Sequence, residues 1–124
     1  MTRTIRITTG NSTFEAQLYE CSTAEAIWEA LPIQGSVIRW GEEIYFNIPV
    51  QLDEAENARE EMAIGELGYW PVGAAFCIFF GPTPVSQGDE PRAYSNVNPF
   101  GKIFGDIKAL STVKDGVEIL IEGA

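Results

Sequence analysis

The sequence has 124 residues, with 18 acidic and 8 basic side chains and a formal net charge of −10. An apolar content of 45% is enough for one domain over residues 1–124 to bury a core, which excludes disordered and fibrous classes. The acidic balance disfavours nucleic acid and anionic membranes as partners. There is no histidine, which excludes Ser-His-Asp and Cys-His hydrolytic centres and imidazole metal sites. Because residues 1–11 show no targeting pattern and no run reaches membrane-spanning length, we expect a cytoplasmic protein.

The first half of the chain predicts a hairpin, a helix and two further strands. Residues 4–8 and 14–18 alternate polar and apolar around a Gly-Asn turn, which is typical of a β-hairpin. Ser22 and Glu25 have the spacing of a capping box, and Pro32 ends the helix that follows. Residues 37–40 and 43–48 predict strands. In the second of these, Ile44, Phe46 and Ile48 share one face, and Glu43, Tyr45 and Asn47 share the other, which faces solvent or a cleft.

The second half contains one strongly buried strand and several connections. Residues 53–66 hold six acidic side chains and one arginine, which is typical of a solvated loop or short helix. Residues 65–73 have the glycines and proline of a connection, residues 74–80 predict a fully buried strand, and residues 85–94 predict a surface loop. A strand over 97–104, a short helical turn capped by Asp106 and a closing strand over 117–122 complete the chain. The expected architecture is a closed, eight-stranded antiparallel β-barrel with two short helices.

Two cysteines are present, at positions 21 and 77. Neither has a Cys-x-x-Cys partner, so a zinc ribbon and a redox motif are both excluded, and nothing supports a disulfide between them. Cys77 lies in an apolar run and is predicted to be a buried thiol without a function. Cys21 precedes the predicted helix, where the helix dipole favours a reactive thiolate, and this alternative stays open.

Two segments carry a family resemblance: Trp-Gly-Glu-Glu-Ile-Tyr-Phe at 40–46, and Gly-Glu-Leu-Gly-Tyr-Trp-Pro at 65–71 leading into residues 76–84. Together they resemble the small prokaryotic cyclophilin-like proteins of uncharacterised function, over nearly the whole chain. The resemblance implies an eight-stranded barrel with helices at its ends. Fold alone does not imply function.

Cyclophilins themselves are prolyl isomerases, and the resemblance to them is local. Residues 100–103, Phe-Gly-Lys-Ile, are similar to a Phe-Gly-Lys-Val stretch of cyclophilins. Val97 stands where cyclophilins place a cleft histidine. Arg39 is the candidate for their catalytic arginine, with an ion pair to Glu42 or Glu15 as the alternative interpretation.

The candidate ligand-binding residues are aromatic, polar and proline side chains in these segments. Glu42 and Glu43 also suggest a carboxylate pair, but neighbours on a strand point to opposite faces, which disfavours acid–base catalysis. Asp53, Glu54 and Glu56 match no calcium loop, so we expect no metal, and no cofactor is indicated. The candidate ligand-binding residues are Trp40, Glu42, Glu43, Tyr45, Tyr69, Trp70, Pro84, Asn96 and Asn98.

These observations predict a domain that binds a small molecule or an extended peptide in an aromatic-lined cleft. One alternative is a divergent prolyl isomerase that depends on Arg39. Another is an assembly subunit of a larger enzyme, since cyclophilin-like barrels resemble domains inside larger amide-processing enzymes. Either a monomer or a small homo-oligomer is compatible with the sequence.

Overall fold

The computed structural model describes residues 3–124. Met1 and Thr2, which belong to the predicted single domain and to the N-terminal segment 1–11, lie outside the described residues. In chain order the described elements are β1 (Thr4–Thr9), β2 (Ser12–Leu18), α1 (Ser22–Ala30), β3 (Ile33–Ser36), β4 (Ile38–Arg39), β5 (Glu43–Asn47), β6 (Arg59–Glu61), β7 (Glu66–Trp70), β8 (Ala75–Phe79), β9 (Arg92–Phe104), a 3₁₀ helix (Ile107–Thr112) and β10 (Glu118–Gly123). Neither helix in this range is long and apolar enough to cross a bilayer.

The strands form a mostly β, antiparallel structure with the order β3-β10-β1-β2-β9-β7-β8-β5-β4, and β6 pairs with β9. The predicted closed, eight-stranded barrel is not confirmed, because ten strands are described and no ladder among them joins β3 to β4. The physical reason is that β3 and β4 are two parts of one extended segment, separated by Val37. The first part pairs with β10 and the second with β5, so the two ends of the sheet meet through the covalent chain.

The sheet buries side chains on both faces at β7 and β8. The main core contains Phe76 and Ile78 from β8, together with the inward residues of the other strands. A second, smaller cluster on the opposite face contains Cys77 and Phe79 with Met62, Ala93 and Val97. The predicted buried strand over 74–80 is confirmed, and its uninterrupted apolar sequence reflects these two covered faces.

Helix α1 occupies the predicted position but does not use the predicted cap. Its N-cap is Cys21, whose side chain does not hydrogen-bond the first turn of the helix, whereas Ser22 is the first helical residue. The capping-box prediction is wrong because the Glu25 carboxylate turns outward and accepts from the Arg3 guanidinium at 2.6 Å. Ala24 and Ile27 on the other side of the helix pack against the core.

Three segments that were predicted to be loops, connections or a short helix contain strand residues instead. The segment 65–73 includes β7, which is a central strand between β8 and β9. Its Gly68 lies where the Val97 side chain of β9 packs against the backbone, so the glycine reflects close packing and not a loop. The acidic segment 53–66 includes β6, and β9 begins at Arg92, inside the predicted loop 85–94.

The end of the chain follows the prediction closely. The 3₁₀ helix begins after Asp106, whose carboxylate accepts from the backbone N–H of Lys108 at 3.0 Å. The closing strand β10 buries Ile119 and Ile121 and pairs with both β1 and β3.

Candidate ligand-binding site

A cleft of about 180 Å³ lies on the outer face of β5, β8 and β7, next to the second apolar cluster. We call it the aromatic cleft. Its described lining is Trp40, Glu43, Tyr45, Trp70, Cys77 and Tyr94. The strand register explains the grouping, since Tyr45 lies opposite Cys77 and residues opposite each other on antiparallel strands share a face.

A tight turn between β4 and β5 positions Trp40 and Glu43. The backbone of these two residues is joined by reciprocal hydrogen bonds of 2.9 and 3.1 Å. Gly41, inside the turn, has φ +59°, and a Cβ atom there would approach Pro84 Cδ to 2.8 Å. A larger residue would be strained by its φ and would collide with Pro84, so the turn requires glycine.

The aromatic rings are arranged edge to face around the cleft. Tyr94 contacts both Trp40 and Trp70 with ring centroids 6.2 Å apart, and Trp70 contacts Tyr45 at 6.4 Å. The angles between neighbouring planes are 73–83°. The Trp70 indole N–H donates to Ser95 Oγ at 2.7 Å, which fixes the ring at the cleft wall. Each wall is therefore held by another ring, a geometry that aromatic quadrupoles favour.

Glu43 is the acidic group of the cleft, and its side chain is 5% exposed. Among residues 3–124, its Oε1 atom is buried and has no hydrogen-bond partner. Burial raises the pKa of Glu43 to about 8, although a hydrogen bond with the Cys77 thiol acts in the opposite direction. A buried carboxyl with an unused oxygen atom is uncommon and costs folding free energy, which makes Glu43 a candidate contact for a ligand.

Cys77 lies below Glu43 and is fully buried, as the sequence predicted. Burial raises the pKa of its thiol well above the ordinary value, and the nearby Glu43 carboxyl raises it further. Both effects disfavour the thiolate. The Cys77 thiol donates a long hydrogen bond to Ala75 O at 4.0 Å and is not disposed to act as a nucleophile.

Four predicted ligand-binding residues converge on the aromatic cleft: Trp40, Glu43, Tyr45 and Trp70. Tyr69, one residue before Trp70, points to the opposite face and is fully buried, where its hydroxyl donates to Val50 O at 2.7 Å. The same hydroxyl accepts from the backbone N–H of Leu52 at 3.1 Å. Tyr69 thus holds the segment after β5 to the core.

The other predicted residues lie outside the cleft and have structural partners. Asn98 is buried and hydrogen-bonds the backbone at Asp53 and Ala55. Asn96 donates to Glu54 at 3.2 Å, and Pro84 packs behind the Gly41 turn. Glu42 pairs with Arg39 at 3.0 Å, so it does not converge with Glu43 as a catalytic carboxylate pair.

The Arg39 guanidinium is occupied by the protein itself. It donates to the carbonyl oxygens of Gly41, Ser111 and Val113 and to the Glu42 carboxylate. Its Cζ atom lies 5.0 Å from the Phe80 ring centroid. These contacts correspond to the ion-pair alternative and extend it, because Arg39 also ties the end of β4 to the 3₁₀ helix.

A second buried carboxylate, Glu66, has a complete set of partners. It accepts from Arg59 at 2.6 and 3.0 Å, from Tyr19 at 2.8 Å and from the backbone N–H of Ala63 at 2.9 Å. Burial alone would raise the pKa of Glu66, but these donors outweigh burial and the pKa is lowered. In contrast to Glu43, Glu66 is a satisfied structural anion. In the part of the chain that is described, no three Cys, Asp or Glu side chains are placed to hold a metal ion.

Sequence reasoning missed two lining residues, Tyr94 and Cys77. The sequence around Tyr94 predicts a surface loop. The residue is 72% exposed, but it belongs to β9 and closes the cleft between the two tryptophans. The signal available was that aromatics on neighbouring strands tend to pair. Cys77 was hidden by the continuous apolar sequence of β8, which does not reveal which residues face outward.

Comparison with known proteins gives the family. The model of the family described as cyclophilin-like matches residues 3–122. The chain belongs to the cyclophilin-like family. A solved relative is the hypothetical protein AF2241 from Archaeoglobus fulgidus, known from a solution structure, with 37% sequence identity and a TM-score of 0.84. The match covers 99% of the present cyclophilin-like chain and 95% of the archaeal one, and no curated protein sequence matches.

Proposed function

We propose that the protein binds a small molecule in the aromatic cleft. The observation that carries this proposal is the unpartnered, buried Oε1 of Glu43 at the base of a cleft walled by four aromatic rings. Ligand sites typically combine apolar walls with a few polar groups that fix orientation. The volume of about 180 Å³ suits a small ligand or one head group better than an extended peptide.

The prolyl isomerase alternative is less well supported. It requires a guanidinium that is free to donate to a bound prolyl peptide, whereas Arg39 already donates to three carbonyl oxygens and one carboxylate. Arg39 is also absent from the described lining of the aromatic cleft. Binding therefore ranks above isomerisation, and the assembly-subunit alternative stays a prediction.

The proposal is tested with a library of small organic fragments, neutral, cationic and anionic, monitored by the indole N–H resonances of the full chain. We expect binding fragments to shift the Trp40 and Trp70 indoles and to leave the Trp28 indole, on α1, unchanged. Tyr94→Ala should abolish these shifts, because it removes the ring that contacts both tryptophans. Phe104→Ala, another exposed aromatic of β9, is the matched control and should leave them intact. If no fragment moves the two cleft indoles, the proposal is wrong.

A further inference from the structure

The residues that line the aromatic cleft favour a positively charged ligand over a negatively charged one. None of the described residues that line it is basic, and its acidic side chain, Glu43, has a buried oxygen without a partner. The π faces of tryptophan and tyrosine are electron-rich and attract cations. The whole chain carries a formal net charge of −10, which disfavours the long-range approach of an anion. Within the cleft, an anion would also lie beside the Glu43 carboxyl without a basic partner among the described lining residues.

We propose that the aromatic cleft binds an organic cation, an alkylated ammonium group whose positive charge lies beside the Glu43 carboxylate and whose alkyl groups contact the rings of Trp40, Trp70 and Tyr94. The inference rests on the proposed function and specifies its ligand class. A neutral apolar ligand would use the rings but would leave Glu43 Oε1 without a partner. A cation interacts with the rings and with Glu43, since its charge pairs with the buried carboxylate and it gains cation–π contacts with the rings.

The titration of Glu43 gives this class a distinct signature. The titratable groups that line the cleft with this carboxyl are the Cys77 thiol from β8, the Tyr45 phenol from β5 and the Tyr94 phenol from β9, while Arg39 is paired with Glu42. With the pKa of Glu43 raised to about 8 by burial, the empty cleft holds a protonated carboxyl near neutral pH. A cation must displace that proton to the solvent. Binding therefore releases one proton, and affinity rises with pH until the free carboxyl is ionised.

The experiment compares choline with its neutral carbon isostere, 3,3-dimethyl-1-butanol, and includes tetramethylammonium as a smaller cation. Isothermal titration calorimetry on the full chain is run between about pH 6 and about pH 9. We expect both cations to bind and the isostere to bind more weakly. The dissociation constants of the cations should fall by about tenfold per pH unit below about pH 8 and then level off, whereas that of the isostere should not change.

Two variants separate Glu43 from the general acidity of the chain. Glu43→Gln should raise the dissociation constant of choline by about tenfold or more and should make that constant independent of pH. Glu118→Gln, which removes one exposed carboxylate from β10, is the control of equal charge. It should retain the affinity for choline and its pH dependence. If Glu43→Gln fails to fold, the unaltered protein still tests the inference. Repeating the titration in two buffers of different ionisation enthalpy measures the proton release directly.

The outcomes distinguish this inference from the proposed function. If the isostere binds as tightly as choline, or if choline binding is independent of pH, the cation inference is wrong and the proposed function stands. If neither cation binds while other fragments shift the Trp40 and Trp70 indoles, the cation inference is again wrong and the proposed function stands. If no ligand of any charge shifts those indoles, the proposed function fails and the cation inference fails with it.

Discussion

The raised pKa of Glu43, which lies in the aromatic cleft, makes the stability of the folded protein depend on pH. Because its pKa in the folded protein lies above the ordinary value of 4.5, the protonated carboxyl favours the folded state. That contribution is fully present below about pH 4.5 and is lost as the pH rises through about 8. Glu43→Gln removes this loss. We expect the free energy of unfolding of the variant, relative to the unaltered protein, to increase by up to about 1.4 kcal/mol per pH unit in that interval.

Urea unfolding of the two proteins at a series of pH values checks this prediction. Glu118→Gln serves as the control, and its stability should follow that of the unaltered protein at every pH, since Glu118 is exposed. Parallel curves for Glu43→Gln and the unaltered protein would show that Glu43 ionises normally in the folded state.

The individual site residues were predictable where strand alternation was recognised. In β5, alternation separated Ile44 and Phe46, which are buried in the core, from Glu43 and Tyr45, which line the cleft. The glycines and proline around Tyr69 and Trp70 predict a connection, in which both side chains could reach the same site. On a strand, adjacent residues point to opposite faces, so Tyr69 enters the core and Trp70 the cleft. The unused oxygen of Glu43 has no sequence signal, because it depends on what the neighbouring strands leave unbonded.

Among the elements, β7 departs most from its sequence-based assignment, and Gly68 explains the departure. A Cβ atom at this position would lie 2.8 Å from Val97 Cγ2 and 3.2 Å from Met62 Cε. We expect Gly68→Ala to lower the free energy of unfolding by about 1–3 kcal/mol, since the packed β7–β9 contact must shift. Thermal and urea unfolding measure the loss.

The matched glycine is Gly88, which lies in the loop before β9. A Cβ there would meet the end of the flexible Glu90 side chain at 3.0 Å, and this side chain can move aside. Gly88→Ala should therefore change stability by less than about 0.5 kcal/mol. Equal losses at the two positions would mean that close packing at β7 is not what requires Gly68.

Elements with one covered face were easier to predict than elements with two. The hairpin β1–β2, the strand β10 and the Asp106-capped 3₁₀ helix show either clean alternation or a local cap, and the structure has all of them. In β7 every residue from Glu66 to Tyr69 is buried, since apolar clusters cover both sides of the sheet there. Glycine in such a strand is a packing requirement, but in sequence it is indistinguishable from a turn signal.

At the scale of the whole molecule, the two ends of the sheet meet at the segment from β3 to β4. Hydrogen bonds from Arg39 stabilise this segment. Its backbone N–H donates to the Asp115 carboxylate, and its guanidinium reaches the carbonyl oxygens of Ser111 and Val113 at 3.0 and 2.8 Å. These bonds join β4 to the last turn of the 3₁₀ helix and to the chain between that helix and β10. The turn that carries Trp40 and Glu43 follows directly, so the same arginine also supports the cleft.

Arg39→Ala should therefore act on the fold, and Arg39→Lys should act nearly as strongly. Removing the guanidinium leaves two partly buried acceptors, Val113 O and the Glu42 carboxylate, without this donor, which costs about 1–3 kcal/mol of folding free energy. Lysine keeps the charge but lacks the planar set of donors that reaches four acceptors at once. In hydrogen–deuterium exchange, we expect faster exchange in both variants at residues 37–43 and 111–117. Arg6→Ala, an exposed arginine of β1, removes the same charge and should leave these amides unchanged. If Arg39→Lys retains full stability and protection, then charge alone joins the two ends of the sheet, and the network of carbonyl acceptors around Arg39 contributes little.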